Sequence, residues 1–397
     1  MQIARLIIFL FILPCLAHAQ KKELSQARTY LKNSKFDDAE KLMKGLLKDT
    51  ANLKDKRVYL LWYEAVRGKY EQGNEKLYLR QKYDTATFFG YTRQLFSILE
   101  TLDSLDMRPD RKGRVAPEYR EKHAAWLNTI RPNLFNGGTY YVRKADWKRA
   151  FDYFETYIDC ARQPIFSGYA LDSTDQRRPE AAYWATYSAY RQKDPVLTLR
   201  YRKLALRDSL RADFTLQYIA EARRWLNDEE LYLATLQEGF RRFPQFPYFF
   251  PRLIDVYTSH GQYERALAVA DSALAVNDSS LLFLFAKSSA LLRLKRYREC
   301  IDYSTRLIAS NDSLPEPYFN AATAYLALAE GMNPRKDKRL VKSAYQNARF
   351  FMERYRELMP AEQQKWAPAL YRIYLNLNLG KQFDEIDRLL NKSKGDA

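Results

Sequence analysis

Two kinds of side chain in this sequence recur at places where they could do chemistry together. Phe135, Trp184, Phe285 and Phe319 fall at equivalent positions of successive helical stretches, and Arg143, Arg191, Arg223 and Arg293 follow one or two turns further along. Aromatic rings supply apolar contact area and a guanidinium pairs bidentately with a carboxylate, so such a row suits a peptide or an acidic ligand. The same residues would also serve to close an inner wall of packed helices. Both readings stand at this level.

Bond-making chemistry is scarcer. Beyond Ala19 the histidines are His123 and His260, and neither has a cysteine or a second histidine at metal-ligand spacing. Gly137-Gly138 is followed by no Lys-Ser/Thr, so it is no phosphate loop, and it reads as a place where two helices approach closely. Ser167-Gly168 belongs to no Gly-x-Ser-x-Gly elbow. The acid pairs Asp37-Asp38 and Glu229-Glu230 stand where helices open, which favours the positive end of the helix dipole. No catalytic residue, metal or cofactor is expected.

The elements that position the aromatic row are set by a repeat. Gly261-Gln-Tyr-Glu-Arg-Ala266 recurs one 34-residue step later as Lys295-Arg-Tyr-Arg-Glu-Cys300, with Tyr263 matching Tyr297. A fixed period of that length marks stacked helical hairpins, each burying its apolar face against its neighbours. Similar junctions stand at Lys35-Phe36-Asp37-Asp38-Ala39, Asp146 to Ala150, Lys193-Asp194-Pro195, Asn227-Asp228-Glu229 and Gly380 to Phe383. Pro195 suits the first helical turn, which has no amide bond to lose. The small or apolar residue opening each second helix falls at Ala150, Leu199, Ala234, Ala266 and Cys300, so the first step is long and the later ones are close to the repeat.

Three stretches break this rhythm. Residues 162–180, rich in Pro, Ser, Gly and Asp, read as a long surface loop that explains the extended step from Ala150 to Leu199. Gly331 to Lys338 is a second insertion, and 50–130 is helical but irregular, with a break at Met107 to Pro117. With 13 glycines in 397 residues and no alternating polar and apolar run, the expected fold is an all-α solenoid of helical hairpins. Residues 20–397 are expected to form it without a domain boundary.

These units resemble the tetratricopeptide repeat family. The resemblance rests on the Gly-x-Tyr-x-x-Ala turn at 261–266, its repeat at 295–300 and the 34-residue step. It is strongest over 215–312, extends to 20–49, 131–160, 180–210, 313–358 and 366–392, and is least over 50–130. It implies a superhelix whose first helices line a concave groove, and a scaffold that holds peptides or helices of other proteins. On that pattern Phe135, Arg143, Trp184, Arg191, Arg223, Phe285, Arg293 and Phe319 would face the groove. Members that bind chaperones grip a terminal carboxylate with Lys and Asn. This chain has Thr139, Ser188, Ser289 and Thr323 beside its aromatics, so that grip is not expected. Its tyrosine-rich style is similar to exported repeat proteins of Bacteroidetes.

The N-terminus reads as an export signal. One positive charge precedes the apolar run Leu6 to Leu13, and Ala17-His18-Ala19 is a small-x-small cleavage site. A lipoprotein anchored at Cys15 is the less favoured alternative, because Pro14 sits where a small residue is wanted. The expected location is the periplasm or cell envelope. Cleavage removes Arg5 and no acid, which leaves 64 Lys and Arg against 48 Asp and Glu, a net charge of +16. That excess suits acidic partners. A protein or peptide partner is expected first, and an acidic glycan or lipid surface second; export argues against nucleic acid. No other run is long and apolar enough to span a bilayer. Cys160 and Cys300 lie too far apart to meet in a solenoid, and Cys300 reads as a packing residue in the slot of Ala266.

Overall fold

The computed structural model describes residues 20–109 and 112–395. The expected export segment, with Cys15, lies outside the described residues. Among the described residues all regular structure is helical. The chain divides into two compact units, the first ending at Asn227 and the second beginning at Asp228.

The first unit holds α1 (20–32), α2 (Phe36–Leu46), α3 (Lys56–Tyr78), α4 (Thr85–Asp106), α5 (Arg120–Ile130), α6 (Pro132–Arg143) and α7 (Trp147–Asp159). It continues with the one-turn α8 (Leu171–Thr174), then α9 (Arg178–Arg191), α10 (Pro195–Arg200), α11 (Arg202–Ala205) and α12 (Ala212–Trp225). The second unit holds α13 (Glu229–Arg242), α14 (Phe249–Ser259), α15 (Tyr263–Val276), α16 (Leu281–Arg293) and α17 (Tyr297–Ser310). It ends with α18 (Pro315–Gly331), α19 (Lys338–Leu358), α20 (Gln363–Asn376) and α21 (Gly380–Gly395).

One turn makes the hairpins. A first helix ends on a residue in the left-handed region, and the next residue caps the second helix. Left-handed residues stand at Ser34, Ala145, Lys193, Asn227, Gly261, Lys295 and Asn378. The amide after the turn residue satisfies a carbonyl five residues back, as in Asp146 N to Tyr141 O (3.0 Å), Gln262 N to Tyr257 O (2.7 Å) and Arg296 N to Leu291 O (2.9 Å). This is a Schellman closure, which leaves no room for a longer linker. Asp146, Asp194 and Asp228 also accept an amide of the first turn of the helix they start.

These turns correct the repeat spacing. Lys193, Asn227, Gly261 and Lys295 follow one another at a constant 34-residue step. Counting five positions past each turn, the slots of Ala266 and Cys300 fall at Thr198 and Tyr232, just before Leu199 and Ala234. Thr198 is buried, Leu199 is half-buried and Ala234 is exposed. The apolar pattern alone misplaced the helix phase, because neighbouring residues lie about 100° apart around a helix.

Residues 162–180 lie largely at the surface, as the sequence suggests, but they are anchored and partly helical. Ile165, Phe166 and Leu171 are buried, and Phe166 stacks on Phe96 of α4 with ring centroids 6.1 Å apart. Buried Arg131 ties the segment down through Asp175 (2.5 Å) and donates to the Cys160 thiol (3.2 Å), while Arg178 pairs with Asp172. It is a surface strap pinned to the core of the first unit by these side chains. Long α3 and α4 precede it, and the chain between Asp106 and Arg120 is non-helical among the described residues.

Candidate functional site

The first unit contains a cleft of about 550 Å³ formed by α4, α6 and the start of α9. Its central helix, α6, is held close to α7 by two glycines. A Cβ on Gly137 would lie 2.7 Å from the Tyr153 ring, and one on Gly138 would lie 2.6 Å from the Phe154 ring. With that face committed to packing, Phe135, Thr139 and Arg143 form a stripe of four-residue spacing on the cleft side. They stand ten, six and two positions before the left-handed Ala145.

Phe135 is the floor, 4% exposed, with the Arg177 guanidinium 4.1 Å above its ring. Thr139 donates to the Phe135 carbonyl (3.0 Å). Phe89, Tyr140 and Trp184 complete the aromatic wall. The one acid in the lining, Glu180, is engaged by Arg211 (3.3 Å), Arg177 (4.0 Å) and the Trp184 indole (3.4 Å). Arg143 is exposed and pairs with no carboxylate among the described residues. The cleft therefore presents aromatic rings and net positive charge.

The second unit contains a comparable cleft of about 560 Å³ between α14 and α16. Phe285, Ser289 and Arg293 again stand ten, six and two positions before a left-handed residue, Lys295. Phe250, Ile254 and Leu282 make a more aliphatic floor, and the Phe250 ring packs 4.5 Å from that of Phe283. Arg293 is exposed without a carboxylate partner among the described residues, and Asp255 lines the same cleft. Its charges balance.

The structure thus brings Phe135, Arg143 and Trp184 together in one cleft and Phe285 with Arg293 in the other. Arg191 keeps the place two positions before its turn, but its guanidinium lies 4.4 Å over the Trp147 ring and donates to the Tyr187 hydroxyl (2.7 Å). At the middle position of the row, Thr139 and Ser289 are too short to occupy the arginine, whereas Tyr187 reaches it. Arg223 stands four positions before Asn227 instead of two, is half-buried in the last turn of α12 and lines neither cleft. Phe319 packs 5.1 Å from Tyr355 in the α18–α19 core. Ser188 is fully buried.

Sequence reasoning missed Phe89, Tyr140 and Arg177 in the first cleft and Ile254 and Asp255 in the second. For Asp255 a signal existed, since it precedes Ser289 by one 34-residue repeat. For Arg177 none did, because its place follows from the folding of the strap.

The remaining reactive groups are absorbed by structure. His123 is buried between the rings of Tyr63 (4.9 Å) and Tyr119 (5.8 Å), and burial pushes its pKa down. His260 pairs with Glu229 (3.2 Å) on the surface. Cys160 and Cys300 are free and buried, and burial pushes the Cys160 thiol up to about 11. Asp37-Asp38 and Glu229-Glu230 occupy the first turns of α2 and α13. Among the described residues no group of three or more His, Cys, Asp or Glu is arranged to hold a metal, and no helix is long and apolar enough to cross a membrane.

No protein-family model matches the sequence. No curated protein matches it either. Solved structures similar to the chain include the C-terminal part of a TPR repeat-containing protein from Cytophaga hutchinsonii, at 12% identity over 64% of this chain and 92% of that one, with a TM-score of 0.42. Yeast Tom70 is similar at 12% identity over 96% of this chain and 100% of that one, with a TM-score of 0.35. The apo form of RapI is similar at 13% identity over 94% and 99%, with a TM-score of 0.33. The helical-hairpin fold rests on this chain's own paired helices and 34-residue turn spacing.

Proposed function

We propose that this chain is a non-catalytic, exported helical-repeat scaffold that binds another protein or peptide in the cell envelope. One observation carries the reading. An aromatic–hydroxyl–arginine row recurs on α6 and α16, and each copy lines a cleft in which its arginine forms no ion pair among the described residues. The packing beneath the two rows is built differently, so the shared row is not a by-product of shared packing. Neither cleft sets an unengaged acid against a base in a dry pocket, which favours binding over catalysis. The 34-residue turn spacing continues through Asn227, which supports treating 20–397 as one repeat array.

Crosslinking and pull-down with residues 20–397 in the native envelope fraction tests this reading. The chain should capture one dominant partner, and a chain carrying both Arg143→Glu and Arg293→Glu should not, with helicity by circular dichroism unchanged. Arg191→Glu should retain capture. Equal capture by the double variant would remove the clefts from the proposal. Export is tested by N-terminal sequencing of the mature protein, which should begin at Gln20.

The net charge of +16 favours a second reading, in which the chain docks on an acidic glycan or lipid surface. Retention on membranes or polysaccharide without a protein partner, lost at high salt, is its signature.

A further inference from the structure

We infer that the cleft of the first unit recognises a peptide segment carrying a side-chain carboxylate near a large apolar side chain, with Arg143 as the residue that reads the carboxylate. This inference rests on the scaffold reading and adds to it the chemistry of the ligand. The cleft holds two guanidiniums, Arg143 and Arg177, against one carboxylate, Glu180, which Arg177, Arg211 and Trp184 already engage. Arg177 is held over the Phe135 ring. Arg143 is exposed and has neither an acid partner nor a ring contact among the described residues, so its donors are available to a ligand.

The spacing limits the ligand further. Phe135 and Arg143 are eight positions apart on α6, about 12 Å at 1.5 Å per residue. An extended segment covers that distance in about four residues. An apolar side chain against Trp184, beside the Phe135 ring that Arg177 covers, therefore places a carboxylate about four residues away within reach of Arg143. The second cleft does not share this preference, because Asp255 offsets Arg293.

The test uses residues 20–397 and a fluorescein-labelled peptide with Phe and Glu spaced about four residues apart in a Gly-Ser background. Binding is read by anisotropy. The peptide should bind, and replacing its Glu by Gln should weaken it about tenfold or more. Arg143→Glu in the protein should weaken the Glu peptide by a similar factor. Arg298→Glu, a charge reversal at an exposed position of α17 that lines neither cleft, should leave its affinity unchanged. Arg143 is exposed at the end of α6, so the variant should keep wild-type helicity. No binding of the Glu peptide, equal binding of the Glu and Gln peptides, or insensitivity to Arg143→Glu overturns the inference. Arg143-dependent binding of polygalacturonate in place of the peptide overturns it too, and assigns the cleft to an acidic glycan. The two levels separate cleanly. If wild type captures a partner from the envelope fraction but the Glu and Gln peptides bind equally, the scaffold reading stands and this inference falls. If wild type captures no partner, the scaffold reading falls while Arg143-dependent peptide binding still defines the cleft.

Discussion

The hairpins α6–α7 and α16–α17 share one register, and they solve the same packing problem in opposite ways. In the first, Gly138 admits the ring of buried Phe154, and Gly137 admits Tyr153. In the second, the positions matching Gly138 and Phe154 are Ser288 and Ser304, whose hydroxyls bond to each other at 2.7 Å inside the core. Lys287 replaces Gly137 and reaches the Tyr303 hydroxyl (2.8 Å). One interface inserts a ring into a missing side chain; the other matches two small polar groups. Each fills its layer, as close packing demands. The rows facing the clefts nevertheless remain aromatic, hydroxyl and arginine in both. Packing is therefore free to vary at these positions without disturbing what the hairpin displays.

The comparison can be broken most severely at Phe154. Removing its ring leaves a cavity beside Gly138, so Phe154→Ala should cost about 3–5 kcal/mol in urea unfolding. A cost below about 1 kcal/mol would mean that the hairpin does not rely on the inserted ring.

Ion pairs divide the two units in the same way. Glu40 is buried and bonded to Lys44, Lys69 and Gln94. Burial alone would push its carboxyl up, but those three partners outweigh it and hold the pKa at about 2. Lys69→Met should cost about 2 kcal/mol, since it removes one of the two cations on buried Glu40 and leaves Lys44 and Gln94. Asp271→Asn, at the half-exposed pair with Lys287 in the second unit, should cost less than about 1 kcal/mol. The Glu40 contribution should be full above pH 4.5 and fade as the pH falls toward 2.

Glu100 carries the opposite sign. Burial first, and the nearby Asp159 second, push its pKa up to about 7. Because the folded pKa exceeds the unfolded value of 4.5, the contribution of Glu100 is most favourable below pH 4.5 and is lost as the pH rises through 7. Glu100→Gln should therefore stabilise the first unit by about 2 kcal/mol at pH 8 and by almost nothing at pH 4. Unfolding at the two pH values decides it; equal effects at both would remove the titration.

Ser304→Ala sharpens the comparison from the other side. It removes one hydroxyl of a bonded pair, while Asn320 still donates to Ser288 (3.2 Å), so the loss should be about 1 kcal/mol. The smallest effect belongs to the turn. Ala145 is exposed and held at φ 54°, where a Cβ is strained. Ala145→Gly should gain about 0.5–1 kcal/mol, read as a rise in the urea midpoint at unchanged slope.

Much of the architecture was legible because its causes are local. The 34-residue period, the capping Asp146, Asp194 and Asp228, Pro195 in a first turn and the paired glycines all act over a few residues or one hairpin. The pairs Phe135–Arg143 and Phe285–Arg293 share a cleft each for the same reason. Left-handed Ala145, Lys193 and Lys295 gave no such signal, whereas Asn227, Gly261 and Asn378 carry residues that such a turn favours. The apolar pattern drifted to Leu199 after Lys193, and to Ala234 even after Asn227.

What the sequence by itself determined, then, is the helical-hairpin repeat and the residue types along its faces. Tertiary structure alone decided which arginines are available. Arg223 sits two positions off the row, about 200° around its helix, and so leaves the cleft face. Arg191 keeps the right phase, yet Trp147 from the preceding hairpin and Tyr187 one turn away take its guanidinium. Arg177 reaches the first cleft because Arg131 and Phe96, far earlier in the chain, pin the strap that carries it. A local pattern places a side chain on a face; contacts between segments distant in the chain decide whether it still has something to offer there.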